Sequence, residues 1–342
     1  MRTLNHALTS GRLVARLSRA TRGLLATLLI HSLLTASTCQ AAERLAIGNT
    51  PTLLTGLLTL AGGDNLYVEA GLSVRDIALA TGDDGLQALK DGKLDVYAVS
   101  DITFIKHHQA NPDLRVIASL GEWDNETKLI ARPGSGIHDF TDLRGKRIAA
   151  QKGLAFHYFL DLVLARNGWD ESAIQAVFLH TRDQPMALAR REIDAAVTRE
   201  PYLGRIESML GPGCVTLAAP GLMVKRFVLV TSERHVRERT PALVALLKAL
   251  AGAERRLIDE PASTARKLAT ALKADPGEVS AQLKEARLRL SLTDHLLYTL
   301  EKASRWTRRV DGVRQGADVN YLNAIATGPL QSVKPEAVSL YH

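Results

Sequence analysis

From Arg44 onward, short apolar runs alternate with stretches whose apolar residues recur every three or four positions. "RLAIG" (44–48), "LSVRDIAL" (72–79), "LDVYAVS" (94–100), "LRVIASL" (114–120) and "TKLIARP" (127–133) predict strands. Between them, "PTLLTGLLTLAGG" (51–63) predicts a helix with proline at its start and glycines at its end, and "DGLQALKDG" (84–92) a second helix. A new set begins at "HDFTDLRGKRIAAQKG" (138–153). It runs through a helix over 155–167, the strand "AVFLH" (176–180), the helix "QPMALARRE" (184–192) and the strands "IDAAVTRE" (193–200), "CVTLAA" (214–219) and "RFVLVT" (226–231). Beyond Thr231 only helices are predicted, over 240–258, 261–272, 277–290 and 295–310, and the tail from Asp311 is weakly patterned. Alternating elements of this kind predict an α/β fold.

The two sets resemble each other. "DGLQALKDGKLDVYAVSD" (84–101) aligns with "DQPMALARREIDAAVTRE" (183–200), matching Asp95 to Asp194, Ser100 to Arg199 and Asp101 to Glu200. Two related α/β lobes would produce this pattern. Ligands of open α/β sheets bind beyond the carboxyl ends of the strands. Facing lobes would therefore line one cleft with Asn49, Thr50, Thr81, Gly82, Ser100, Asp101, the turn Gly153, Leu154, Ala155, Phe156 and His157, and the segment from Glu200 to Tyr202.

Within that set, "QKGLAFHYFL" (151–160) opens a helix with no Ser, Thr, Asp or Asn to cap it. Its free N–H groups and macrodipole form a ready anion site, worth ~0.3–1 kcal/mol per charge at an exposed surface. His157 in the first turn then has two readings. It donates to a bound anion, or it packs beside Tyr158 and bonds a backbone carbonyl.

The formal charge of +7 does not indicate nucleic acid. Residues 1–41 hold five arginines and no acid, and without them the balance is 38 basic against 36 acidic residues. Those 41 residues read as a signal peptide, with an Arg-rich start, the apolar core "GLLATLLIHSLLTA" and small residues before Ala42. This predicts a periplasmic protein. Lipid attachment at Cys39 is disfavoured, because Thr38 precedes it in place of a smaller residue. Removal of the leader leaves Cys214 as the sole thiol, which excludes an internal disulfide and reads as a buried small residue.

Enzyme signatures are missing. The chain has no G-x-S-x-G, phosphate loop, H-E-x-x-H or paired CxxC, and "AGG" and "TGDDG" lack dinucleotide spacing. His107 and His108 are adjacent on a helix end and make a poor chelate. No cofactor and no metal are expected. Asp101 and Glu200 could form an acid–base pair across the cleft, but with no substrate-specific motif beside them two polar strand ends without catalysis are the favoured reading.

In order and spacing, "YVEAGLSV", "GLQALKDGKLDVYAV", "FTDLRGKRIAAQKGLAFHYFLDLVLARNGW", "ALARREIDAAVTREPYL" and "TPALVALLKAL" resemble the periplasmic substrate-binding proteins of ABC importers. The resemblance is to the aliphatic-sulfonate, taurine and nitrate group, with its thiamine-pyrimidine-precursor relatives. It implies a type II periplasmic binding protein with two α/β lobes and two chain crossings, near Lys128–Arg132 and Arg226–Thr231. Lobe 1 would be residues 43–129 plus 230–342, and lobe 2 residues 130–229. It further implies a monomer that captures a small-molecule ligand, a sulfonate- or nitrate-like organic anion, and passes it to an ABC permease and its ATPase. The 153–157 turn and Glu200–Tyr202 would face that ligand. A ligand-sensing accessory protein using the same cleft is the alternative, and an enzyme employing Asp101 and Glu200 a more distant one. The chain departs from the family in three places. Leu154 and Ala155 follow Gly153 where relatives carry a hydroxyl residue, "LAGGDNLYVEAGL" replaces an aromatic segment, and the tail after Asp311 does not match; the chain also lacks the Cys-rich motif of the thiamine-pathway enzymes, which argues against that activity.

Overall fold

The computed structural model describes residues 42–79, 81–312 and 319–340. The leader expected over 1–41, with Cys39, lies outside the described residues. The chain opens with β1 (Glu43–Asn49), α1 (Gly56–Gly63), β2 (Leu72–Ala78), α2 (Gly82–Lys90), β3 (Val96–Ser100), α3 (Asp101–Ala110) and β4 (Leu114–Trp123). There follow β5 (Lys128–Ala131), β6 (Arg147–Ala150), α4 (Ala155–Arg166), β7 (Gln175–Phe178), α5 (Gln184–Ala189), β8 (Ala195–Thr198), α6 (Tyr202–Leu210) and β9 (Val215–Ala218). The last part is β10 (Lys225–Ser232), α7 (Glu233–Glu238), α8 (Thr240–Asp259), α9 (Pro261–Leu272), α10 (Pro276–Glu285) and α11 (Asp294–Val310).

These strands form two five-stranded sheets, ordered β2-β1-β3-β10-β4 and β7-β6-β8-β5-β9. Each has three parallel strands and one antiparallel strand laid beside the third, β10 against β3 and β5 against β8. The matching topology explains the sequence similarity of the two sets. Asp95 exchanges hydrogen bonds with Ala46 of β1, its carboxylate accepting from the N–H at 2.7 Å. Asp194 does the same with Arg147 of β6, at 3.0 Å. An acid just before the third strand thus ties it to the first in both sheets.

The chain leaves the first sheet after Trp123 and enters the second at Lys128, then returns between Ala218 and Lys225. The segments 128–132 and 226–231, read from the sequence as crossings, are largely the strands β5 and β10; the passages lie at 124–127 and 219–224. The helix expected over 277–290 also stops early, at Glu285. Beyond it Ala286, Leu288, Leu290 and Leu292 are buried while Arg287 and Arg289 stay exposed, a two-residue period. Arg287 and Ser291 accordingly pair with Glu122 and Ser119 of β4 in isolated antiparallel bridges.

Local chemistry sets the helix starts around the strand ends. Ser100 caps α3 by accepting the Thr103 N–H at 3.3 Å, and Thr81 caps α2 by accepting that of Asp84 at 3.2 Å. Gly85 lets α2 lie against Tyr97, whose ring would meet an added Cβ at 2.0 Å. That contact aims the Tyr97 hydroxyl at the Thr81 carbonyl, 3.1 Å away, with Thr50 Oγ1 at 3.2 Å.

Candidate functional site

The uncapped helix α4 begins as the sequence requires: Leu154 occupies the cap position and offers no side-chain hydrogen bond. Gly153 precedes it at φ +68°, a conformation only glycine adopts freely. His157 does not face a ligand. Its ring is 2 % exposed, and its Nδ1 accepts the Gly153 N–H at 3.2 Å. Nε2 points to Glu171 Oε2 at 3.3 Å, and the edges of Phe178 and Trp306 close on the ring at 5.0 and 5.4 Å. The expectation that His157 donates to a bound anion is therefore corrected. A histidine three residues into the helix reaches back to the turn and supplies an acceptor where no cap exists.

His157, Asp161 and Glu171 also bring three ligand-type atoms within 4.8 Å of one another. They do not fit a metal. An Nδ1 that accepts an N–H leaves the ring proton on Nε2, and a cation there would need the lone pair that this proton occupies. The set is a hydrogen-bonded link.

The other expected residues divide into caps and cleft groups. Thr81 and Ser100 are committed to their helices, and Thr50 to Tyr97 and the Leu79 carbonyl at 3.2 Å. Asn49 is buried at the end of β1, with Oδ1 unpartnered. Thr52, Thr127, Gln184 and Thr198 each bury a side-chain oxygen in the same condition. Asn49 and Thr52 lie at or just beyond the end of β1, Thr198 at the end of β8 and Thr127 in the first passage, while Gln184 opens α5 and donates to the Val197 carbonyl of β8 at 3.2 Å. Burying such an oxygen unpaired costs about 1–3 kcal/mol.

Charge gathers beside them. Lys225, buried at the start of β10, donates to Glu126 Oε2 at 2.5 Å, and Arg199 Nε approaches the other Glu126 oxygen at 3.7 Å. The Lys225 ammonium also sits 5.4 Å from the Phe156 ring in the first turn of α4. Burial pulls its pKa down while Glu126 opposes the shift. Next along β10, Arg226 is 2 % exposed and bonds Glu122 Oε2 at 2.5 Å, His295 Nδ1 at 3.0 Å and Thr299 Oγ1 at 2.7 Å. Burial works to raise Glu122, but Arg226 holds it below the usual carboxylate range.

Asp101 and Ala155 come together on a cavity of about 180 Å3, which also borders Tyr158, Met223 and Lys225. Burial pushes the Asp101 carboxyl up to about 6, against the pull of Arg226 and Lys225. Asp101 likewise adds to the burial that raises Tyr158 to about 12. Glu200 is not its partner. It accepts the Gly204 N–H at 3.1 Å and is raised by burial, with Glu278 and Glu207 adding to the effect. The two carboxyls lie among different neighbours. Tyr202 is half-buried at the first position of α6.

Sequence reasoning passed over Glu126, Arg199, Lys225 and Arg226. The signal was present in "VKRFVLV", where two cations interrupt an apolar strand and must find buried partners.

The NMT1/THI5-like family model matches residues 56–264. The chain belongs to the NMT1/THI5-like family. A putative binding protein of Brucella abortus is 25% identical over 252 residues, 72% of this chain and 76% of the relative. The alkanesulfonate-binding protein SsuA of Xanthomonas axonopodis, solved with MOPS bound, superposes with a TM-score of 0.70 at 21% identity, over 84% of this chain and all of the other. The desulfurization enzyme DSZB shares the fold too, with a TM-score of 0.61 at 16% identity over 86% and 99% of the two chains. This chain thus shares its fold with both a binding protein and an enzyme.

Proposed function

We propose that the protein is the periplasmic solute-binding component of an ABC importer, that it acts as a monomer, and that it captures a small organic anion of the sulfonate type between its two sheets. The observation that carries this reading is Lys225. It is a fully buried ammonium beside the uncapped start of α4, and its one carboxylate partner is shared with Arg199. An anion entering here gains the α4 N–H groups and two cations and can accept from the hydroxyls of Thr52, Thr127 and Thr198, while bound water donates to Asn49 and Gln184. Of the residues expected at the cleft, Asn49, Gly153, Leu154, Ala155, Phe156 and Asp101 remain the ligand-facing set in this proposal, with Glu200 and Tyr202 at its rim. The backbone passages at 124–127 and 219–224 would serve as hinges, so that closure buries the ligand and presents a closed form to a permease and its ATPase.

Binding without turnover is supported by the binding-protein relative. The test is calorimetric titration of the chain from residue 43 with alkanesulfonates, nitrate and small carboxylates, followed by product analysis. Stoichiometric binding with unchanged ligand supports the proposal; conversion of the ligand, or no anion binding at all, overturns it.

A further inference from the structure

Helix α11 is fixed to the first sheet on both sides. Just before it Ser291 pairs with Ser119 of β4, and after it Ile325 pairs with Val116 of the same strand. Tyr321 donates to Ser304 Oγ at 3.1 Å, and Gln109 of α3 reaches Ser304 and Thr307 at 3.4 Å. Another face of α11 meets α4, which follows β6 of the second sheet. There Trp306 Nε1 donates to Asp161 Oδ2 at 2.7 Å, and Arg309 reaches the same atom at 3.4 Å. Among the described residues, these are the hydrogen bonds that join the two sheets and their helices away from the passages. Both end on one oxygen.

The two attachments differ in kind. Backbone bridges hold α11 to β4, whereas side chains alone hold it to α4. A hinge motion at 124–127 and 219–224 leaves the bridges intact, because both partners belong to the first sheet. Separation of the sheets must therefore break the contact at Asp161. The Asp161 side chain is 16 % exposed, so its bond from the indole N–H is charge-assisted and largely shielded from water. Arg309 is 72 % exposed and adds little. The Trp306 ring also lies 4.9 Å from Tyr158 and 5.4 Å from His157, whose Nδ1 accepts the Gly153 N–H. The joint thus bears on the turn that opens α4. Tyr298, Thr299 and Lys302 of α11 face Ala155, Tyr158 and Leu162 of α4 across the 180 Å3 cavity, which opens if α11 lifts.

We propose that α11 is a strap, in which Trp306 and Asp161 are positioning residues that hold the two sheets closed and so set ligand affinity from outside the cleft. The effect on affinity rests on the anion-binding reading above; the effect on the spacing of the sheets does not. An apparent Kd is the intrinsic value divided by the fraction of closed molecules, so the two effects are linked by one factor.

The experiment uses the chain from residue 43, which forms a compact unit by itself. Nitroxides at Lys106→Cys and Arg182→Cys, in a Cys214→Ser background, report the spacing by pulsed electron resonance with no ligand added. Both positions are exposed, one beyond the end of β3 and one beyond the end of β7. The labelled parent is expected to give a dominant short distance. In Trp306→Phe and in Asp161→Ala the closed fraction should fall about twofold or more as a longer distance appears. Asp161→Asn should match the parent, because its amide oxygen still accepts the indole N–H. Asp161→Ala keeps the Trp306 ring, so a folding defect in the tryptophan variant does not decide the result. The Kd for ethanesulfonate should rise by the factor by which the closed fraction falls. Unchanged distances in both variants, or equal opening in Asp161→Asn and Asp161→Ala, overturn the strap. Opening with an unchanged Kd overturns its role in affinity. A shift in distance in a protein that binds no anion upholds the strap and overturns the anion reading alone.

Discussion

Trp306 Nε1 donates to Asp161 Oδ2 at 2.7 Å, joining α11 to α4. Arg309 reaches the same oxygen at 3.4 Å, and the Trp306 ring lies 4.9 Å from that of Tyr158. From the same helix, Ser304 and Thr307 accept from Gln109 of α3 at 3.4 Å. One C-terminal helix therefore touches a helix from each set of strands. Trp306→Phe keeps the packing and removes the donor, so urea unfolding is expected to show a loss of about 1–2 kcal/mol. Trp306→Ala should cost about 3–5 kcal/mol. Equal losses in the two variants would show that the hydrogen bond alone makes this joint, and no loss in Trp306→Phe would show that the ring contacts do.

His157 is expected to behave as a structural residue. Removing its ring frees the Gly153 N–H and opens a void between Phe178 and Trp306. His157→Ala should lower stability by about 2–4 kcal/mol, while the folded variant keeps ligand affinity within about threefold. The opposite pattern, an unchanged melting temperature with affinity lost, would return the ring to the ligand.

The sequence made the layout legible because burial patterns repeat. The period-two strands, the proline starts of α8, α9 and α10 and the Asp95–Asp194 equivalence all rest on local rules. The site was legible as a place, the strand ends and the start of α4, but the roles of its side chains were not. Nothing local tells whether His157 turns toward the cleft or back to Gly153, because Phe178 and Trp306, which hold the ring, are 21 and 149 residues away in the chain. Glu126 and Lys225 meet across 99 positions, so their pairing appears only once both passages are in place.

The Lys225–Glu126 pair makes a sharper test of the anion site. Lys225→Met leaves a buried carboxylate with Arg199 alone, at 3.7 Å, and should cost about 3–5 kcal/mol. Adding Glu126→Gln removes that uncompensated charge, and the double variant is expected to recover most of the loss in thermal unfolding. Anion affinity should not return with it, because the ammonium is still missing. Recovery of both stability and affinity would place the anion elsewhere.

Asp101 supplies the pH dependence. Its carboxyl stands at about 6 in the folded chain against an ordinary value of 3.8, and burial is the chief cause. A raised acid contributes its full stability below the lower value. That stability is lost as pH climbs toward the upper one, because the unfolded chain releases its proton first. The penalty develops between about pH 4 and 6 and then stays constant, with an upper limit of about 3 kcal/mol. Asp101→Asn cannot ionise, so its melting temperature should match that of the unmutated protein near pH 4 and exceed it at pH 7. Equal melting temperatures at both pH values would mean that Asp101 is well solvated in the folded protein.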